Sequence, residues 1–181
     1  MITLQSKQMR NKHPMRKKEF GVGLIEVLIA IVILSIGFLA AAKMQVSGMR
    51  YSQNAYFLSQ GNFMLRDMTD RMRANREGVI AGHYNAFTTN AATVEPPCVA
   101  AGSKCTPAQI ATADLNAWSQ YLHAPPNAVD FKPVLPSYDN IEARGEIAYN
   151  AATDVYTISV RWGEPVDGVI EERILNVRLT P

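Results

Sequence analysis

The 181 residues leave room for one domain and an anchor, not two full domains. The formal charge is +2, but Lys7, Arg10, Lys12, Arg16, Lys17 and Lys18 all lie in the first 21 positions, opposed there only by Glu19. With those removed, 12 of the 18 basic and 15 of the 16 acidic residues remain, so the bulk of the chain is slightly acidic and lacks the clustered positive charge of a nucleic-acid-binding surface.

The first element follows that basic cluster directly. Val22 to Ala42 is an apolar run whose one charge is Glu26 and whose one other polar side chain is Ser35. A charge at the bilayer centre costs a few kcal/mol and less near the interface, so a carboxylate in such a run is seldom incidental. The basic flank places the start of the run on the cytoplasmic side and the rest of the chain across the membrane. Three plain readings compete: a secretory signal peptide ending at Ala40-Ala41-Ala42, a single-pass anchor, and a buried core helix. None of them gains from a carboxylate at position 26.

Gly21-Val22-Gly23-Leu24-Ile25-Glu26 resembles the prepilin cleavage signature. The resemblance implies cutting between Gly21 and Val22 by a prepilin peptidase, N-methylation of Val22, and a mature chain whose fifth residue is Glu26. Prepilins usually start the mature chain with phenylalanine, where this sequence has Val22. A basic leader could begin at Met1, Met9 or Met15, the last giving Met-Arg-Lys-Lys-Glu-Phe-Gly. The resemblance also gives Glu26 its role in subunit assembly. In hydrocarbon an unpaired carboxylate is penalised, so pairing with the N-terminal amine of a neighbouring subunit would set the register between subunits.

Beyond Lys43 the apolar residues narrow to one helix face. Met44, Gly48, Tyr51, Ala55, Leu58, Leu65, Met68 and Met72 recur at intervals of three, four and seven. No proline falls between Val22 and Arg76, and Gly78 reads as the stop, which predicts one helix of about 55 residues and about 80 Å. Cys98 and Cys105, facing an oxidising compartment, should pair, closing a short loop for about 2.5 kcal/mol. A metal site is the poorer alternative, with no histidine or second cysteine pair nearby. Thr106-Pro107-Ala108-Gln109 is a capping box with proline at the first helical position. It opens a short helix with Ala111, Leu115, Trp118 and Leu122 on one face, ended by Pro125-Pro126. Trp118 reads as a core anchor. The remainder reads as strands: Glu146–Asn150, Val155–Trp162 and Val169–Leu179, with Pro165 and Asp167-Gly168 as the last connection. In the last strand Leu175, Val177 and Leu179 share one phase, while Ile170 and Ile174 lie on the other. That jump predicts a bulge or a strand covered on both faces.

The expected fold class is therefore α+β, with a long N-terminal helix packed on a C-terminal antiparallel sheet, as in pilins. Residues 1–21 form a removable leader, 22–43 the membrane and filament-core helix, 44–76 an amphipathic helix, and 77–181 a headgroup with a disulfide loop. Within the pilins, Gly-Leu-Ile-Glu-Val-Leu-Ile-Ala at 23–30, Asp70-Arg71-Met72-Arg73-Ala74-Asn75, and Cys98…Cys105 ahead of Ala108-Gln109-Ile110-Ala111 and Trp118 resemble the minor pilins called PilV, the type IV pilus modification protein. Lys43, where major pilins often have a helix-breaking proline, agrees with a minor subunit. The resemblance implies a subunit of the Gram-negative inner membrane that helps start pilus assembly in a tip complex. Its partners would be other minor pilins, the major pilin and an adhesin-like protein, and it would later reach the cell surface and support adhesion and twitching motility. A minor pseudopilin of type II secretion shares the same leader and fold. An anchored periplasmic enzyme finds little support, since His83 and His123 are isolated and no nucleophile–base pair or metal-ligand spacing stands out. No cofactor, metal or nucleic acid is expected. The segments 77–97 and 123–143 read as long loops, the place where a binding surface would sit.

Overall fold

A computed structural model describes residues 23–89, 104–138, 140–166 and 168–181. The chain divides into a first unit ending at Ser47 and a second running from Gly48 to Pro181. Helix α1, Leu24–Ala74, is a single run of 51 residues that begins in the first unit and ends in the second. It continues without interruption through Lys43, which has high helix propensity where a proline would clash with the preceding turn.

In the first unit α1 is exposed along nearly its whole length, from Leu24 to Val46. In the second unit its last turns carry the buried face: Gly61, Met64, Leu65, Met68, Thr69 and Met72. The stripe expected from Met44 onward is thus covered only from Gly61, and Met44, Tyr51 and Leu58 are exposed. Periodicity marks the face that is able to pack, but burial needs a partner layer, and the layer begins at Trp162. Gly61 is the residue that admits this ring. A Cβ there would sit 3.0 Å from Trp162 Cζ3 and 3.1 Å from Leu175 Cδ1. Thr69 lies inside the core with its hydroxyl donated to Leu65 O at 2.7 Å.

Helix α1 stops one residue before a second short helix, α2, Arg76–Ile80. Gly78 lies inside α2 instead of ending the long helix, and the chain turns at Gly82, whose φ of 79° a side chain would resist. Next comes β1, Ala86–Thr88, a three-residue strand within the stretch expected to be a loop. Helix α3, Pro107–Ser119, is capped as its sequence requires, with Gln109 N–H donating to Thr106 Oγ1 and Thr106 N–H to Gln109 Oε1.

Strands β2 (Arg144–Asn150), β3 (Val155–Val166) and β4 (Val169–Leu179) complete a four-stranded antiparallel sheet in the order β1-β2-β3-β4. Ile147, Tyr156, Ile158, Val160 and Trp162 join Met64, Met68, Met72, Trp118 and Leu135 in one buried cluster. Each such side chain contributes about 1.5–3 kcal/mol by leaving water. Leu135, fully buried, pins the 123–143 segment from inside, and Val134 N–H donates to Tyr121 O at 2.9 Å. Two expectations in the last hairpin do not hold. Pro165 is part of β3, opposite Ile170, past Arg161 where the pairing with β2 ends and a proline is tolerated. The β3–β4 register is continuous from Tyr156↔Leu179 to Val166↔Val169, so no bulge marks Ile174-Leu175. Ile174 is simply exposed, while Ile170 and Tyr138 converge on the space above Gly163.

Candidate functional site

The N-terminal turn of α1 opens on Gly23, whose carbonyl accepts from Glu26 N–H at 2.9 Å and Val27 N–H at 3.4 Å. Glu26 sits in that first turn, where the helix dipole favours a negative charge. Its neighbours Leu24, Ile25 and Val27 are exposed, and among the described residues no cation pairs with it. From Leu24 to Ala42 it is the only charged residue. The helix is long and apolar enough to cross a membrane, and none of its most apolar stretch is buried. Backbone polarity is handled within the helix, and the Ser35 hydroxyl is spent on Ile31 O at 2.7 Å. Chemically this is an apolar rod with one carboxylate near its tip. An exposed apolar surface of this length suits a lipid environment or apolar partners.

Gly21 and Val22, the expected cleavage and methylation positions, lie outside the described residues, as does Cys98. Cys105 is half-buried immediately before the Thr106 cap. Glu26 lies in the first unit and Cys105 in the second.

The second unit holds a polar cluster that the sequence did not announce. Asn75, at the junction of α1 and α2, donates from Nδ2 to Tyr84 Oη at 3.0 Å and to Pro107 O at 2.8 Å, and its Oδ1 accepts from Gly78 N–H at 3.3 Å. Tyr84 donates to Asp114 Oδ2 at 2.6 Å, and Arg71 Nη1 reaches Asp114 Oδ1 at 3.3 Å. Arg71 Nε also donates to Asp67 Oδ2 at 2.8 Å. The end of α1, α2 and the first turns of α3 are joined through these groups. The one available signal was Asn75 ahead of Arg76-Glu77, an N-cap in the middle of an apparently continuous helix.

Burial, and then the bond to Asp114, push the Tyr84 phenol well above its ordinary value. Tyr156 and Tyr121 move the same way, chiefly through burial. A raised tyrosine pKa means the folded state favours the neutral phenol. That stabilisation is complete below the ordinary value of about 10 and is lost progressively as the pH climbs above it. Thermal melts of the full chain in detergent should hold steady from pH 7 to about 9.5 and fall above about 10. Tyr84→Phe should lower the neutral-pH stability by about 1–3 kcal/mol, by leaving Asp114 Oδ2 without its donor while Arg71 still holds Oδ1, and flatten the alkaline fall. An alkaline slope identical in Tyr84→Phe and wild type would remove Tyr84 from this account.

Residues 43–116 match the family model described as Type IV pilin Tt1218. Residues 16–42 match that of the prokaryotic N-terminal methylation motif. No curated protein and no solved structure matches the chain. The methylation motif implies processing by a prepilin peptidase and assembly with other pilins. A methylation motif running into a type IV pilin domain, on a long apolar helix followed by an antiparallel sheet, supports a type IV pilin.

Proposed function

We propose that the chain is a minor type IV pilin of the PilV kind, which helps to initiate pilus assembly within a tip complex at the inner membrane. The reading is structural, not catalytic. What supports it most is one observation: the stretch 24–42 of α1 is exposed and apolar and carries a single charged residue, Glu26, in its first turn, four positions after Val22. Cleavage after Gly21 frees an amine at Val22, which is then methylated. The Glu26 carboxylate of an arriving subunit meets the free amine of the subunit beside it, and each charge removes the desolvation penalty of the other. The unbroken helix at Lys43 agrees with a subunit that differs from the major pilin. The headgroup, residues 77–181, stays on the periplasmic side and later on the pilus surface, in contact with other minor pilins and an adhesin-like protein.

Cys98 and Cys105 pair in the headgroup. Proteolysis of non-reduced protein taken from the periplasm should give one linked peptide containing both residues. Recovery of the two cysteine peptides separately, after trapping free thiols in the cells, would contradict the pairing.

A minor pseudopilin of type II secretion carries the same helix and leader, so the deciding experiment is genetic. Deleting the gene should abolish surface pili and twitching while leaving the secretion of folded exoproteins intact. Lost secretion with normal pili would assign the chain to the secretion system instead.

A further inference from the structure

We propose that the free edge of β4 is a docking strip for an extended strand of a partner protein, a strand apolar at alternate positions and carrying a carboxylate. Three features of the second unit converge on this.

The first is the edge itself. β4 is 11 residues long and, among the described residues, pairs with β3 alone. Its register is regular throughout, so no bulge twists the edge away, and no proline interrupts it. Globular proteins usually blunt long edges with such devices, because unpaired N–H and C=O groups recruit another strand. The stretch Leu175–Leu179 has only Arg178 as a charge.

The second is the space beside the edge. Three hollows of about 360, 320 and 350 Å³ follow one another along the strand, between it and the helices α1 and α2. They are bordered in turn by Leu58 with Leu175, by Leu65 with Val177, and by Met72 with Leu179. Leu175, Val177 and Leu179 form the inward row of β4 and are only half-buried, so the core is left unfinished along this side. A strand added to β4 would turn every second side chain toward this row of hollows. The first hollow also touches Trp162, whose buried indole N–H has no acceptor among the described residues.

The third is charge. Arg66 and Arg76 border the second and third hollows and have no ion-pair partner among the described residues. The Arg73–Asp70 pair between them is long, 3.5 Å, and exposed. A partner strand bearing a carboxylate is therefore favoured over a basic one.

The test is photo-crosslinking of the full chain in the cells that make it. A benzophenone amino acid is placed at Asn62 or Asn176, both bordering the middle hollow, or at the exposed loop residue Val129 as a control. Asn62 and Asn176 should both capture the same partner segment, identified by peptide mapping as an extended stretch with alternate apolar residues and an acidic side chain. Hydrogen exchange of the captured complex should show β4 amides slowed relative to the unlinked chain. Arg66→Glu combined with Arg76→Glu should cut the yield at least about fivefold without changing the melting temperature, since both are exposed. The proposal is overturned if Asn62 and Asn176 capture nothing, if the captured segment is a helix or a basic stretch, or if β4 amides exchange equally fast in the complex. Capture of β4 from a second copy of this chain would likewise replace the hetero-strand with self-pairing.

Discussion

Replacing Trp118 with alanine should remove about 3–5 kcal/mol from the folded headgroup, the cost of deleting a large aromatic from a closed core. Trp118 has no exposed surface, and its indole N–H is donated to Met64 O at 3.0 Å, which ties α3 to the buried face of α1. Phe87 of β1 lies with its ring centre 6.4 Å away. The ring also fills the space over Gly145, where a Cβ would come within 2.4 Å of Trp118 Cη2. One side chain therefore sits against the long helix and the first two strands together. Domains of this size are stable by only about 5–15 kcal/mol, so the loss is a large share of the total. A drop in melting temperature of roughly 10–20 °C is expected from circular dichroism of the full chain in detergent. Gly145→Val, which intrudes on the same space from the sheet side, should act in the same direction. A Trp118→Ala melt within two or three degrees of wild type would mean that the headgroup is not organised around this residue.

The largest functional effect should come from Glu26→Leu. The variant makes the apolar run continuous, so insertion in the membrane is retained, and Gly21 is untouched, so cleavage should proceed. Incorporation into pili should fail. Without the carboxylate, the amine of a neighbouring Val22 is left charged and unpaired among apolar helices, a penalty of about 3–5 kcal/mol, which is more than a hundredfold in an assembly equilibrium. Comparing sheared pili with the membrane fraction by immunoblot reads this directly. Glu26→Gln, which keeps the shape and hydrogen-bonding capacity without the charge, separates ion pairing from local capping. Wild-type incorporation of both variants would show that the carboxylate has no part in joining subunits.

The parts of this molecule legible in the sequence are those governed by local rules. The apolar run with its single charge is written in consecutive residues, and so is the capping box at Thr106–Gln109, whose hydrogen bonds form within one helical turn. Tyr156, Ile158, Val160 and Trp162 alternate because one face of β3 is buried, and the alternation survives into the structure. What escaped depends on distant partners. The face of α1 reads as packable from Met44, but the sheet and Trp162 reach it only from Gly61. The three residues of β1 are too few to show a pattern and exist because β2 offers an edge at Glu146–Ala148. The break at Asn75 is set by Tyr84 and Pro107, neither adjacent to it in sequence. Leu135 lies in a stretch with no periodicity at all, yet it is fully buried. Glu26 stands out in the sequence because a charge in an apolar helix is conspicuous without any knowledge of the fold, and the structure keeps it in the first turn of α1.

The most direct test is the mass of the N-terminal peptide of the exported protein. Processing as a pilin gives a chain beginning at Val22 with a methylated amine, next to the carboxylate of Glu26. A chain that retains residues 1–21, or one that begins at Lys43 after loss of the whole apolar helix, would have no such amine to offer and would contradict the account.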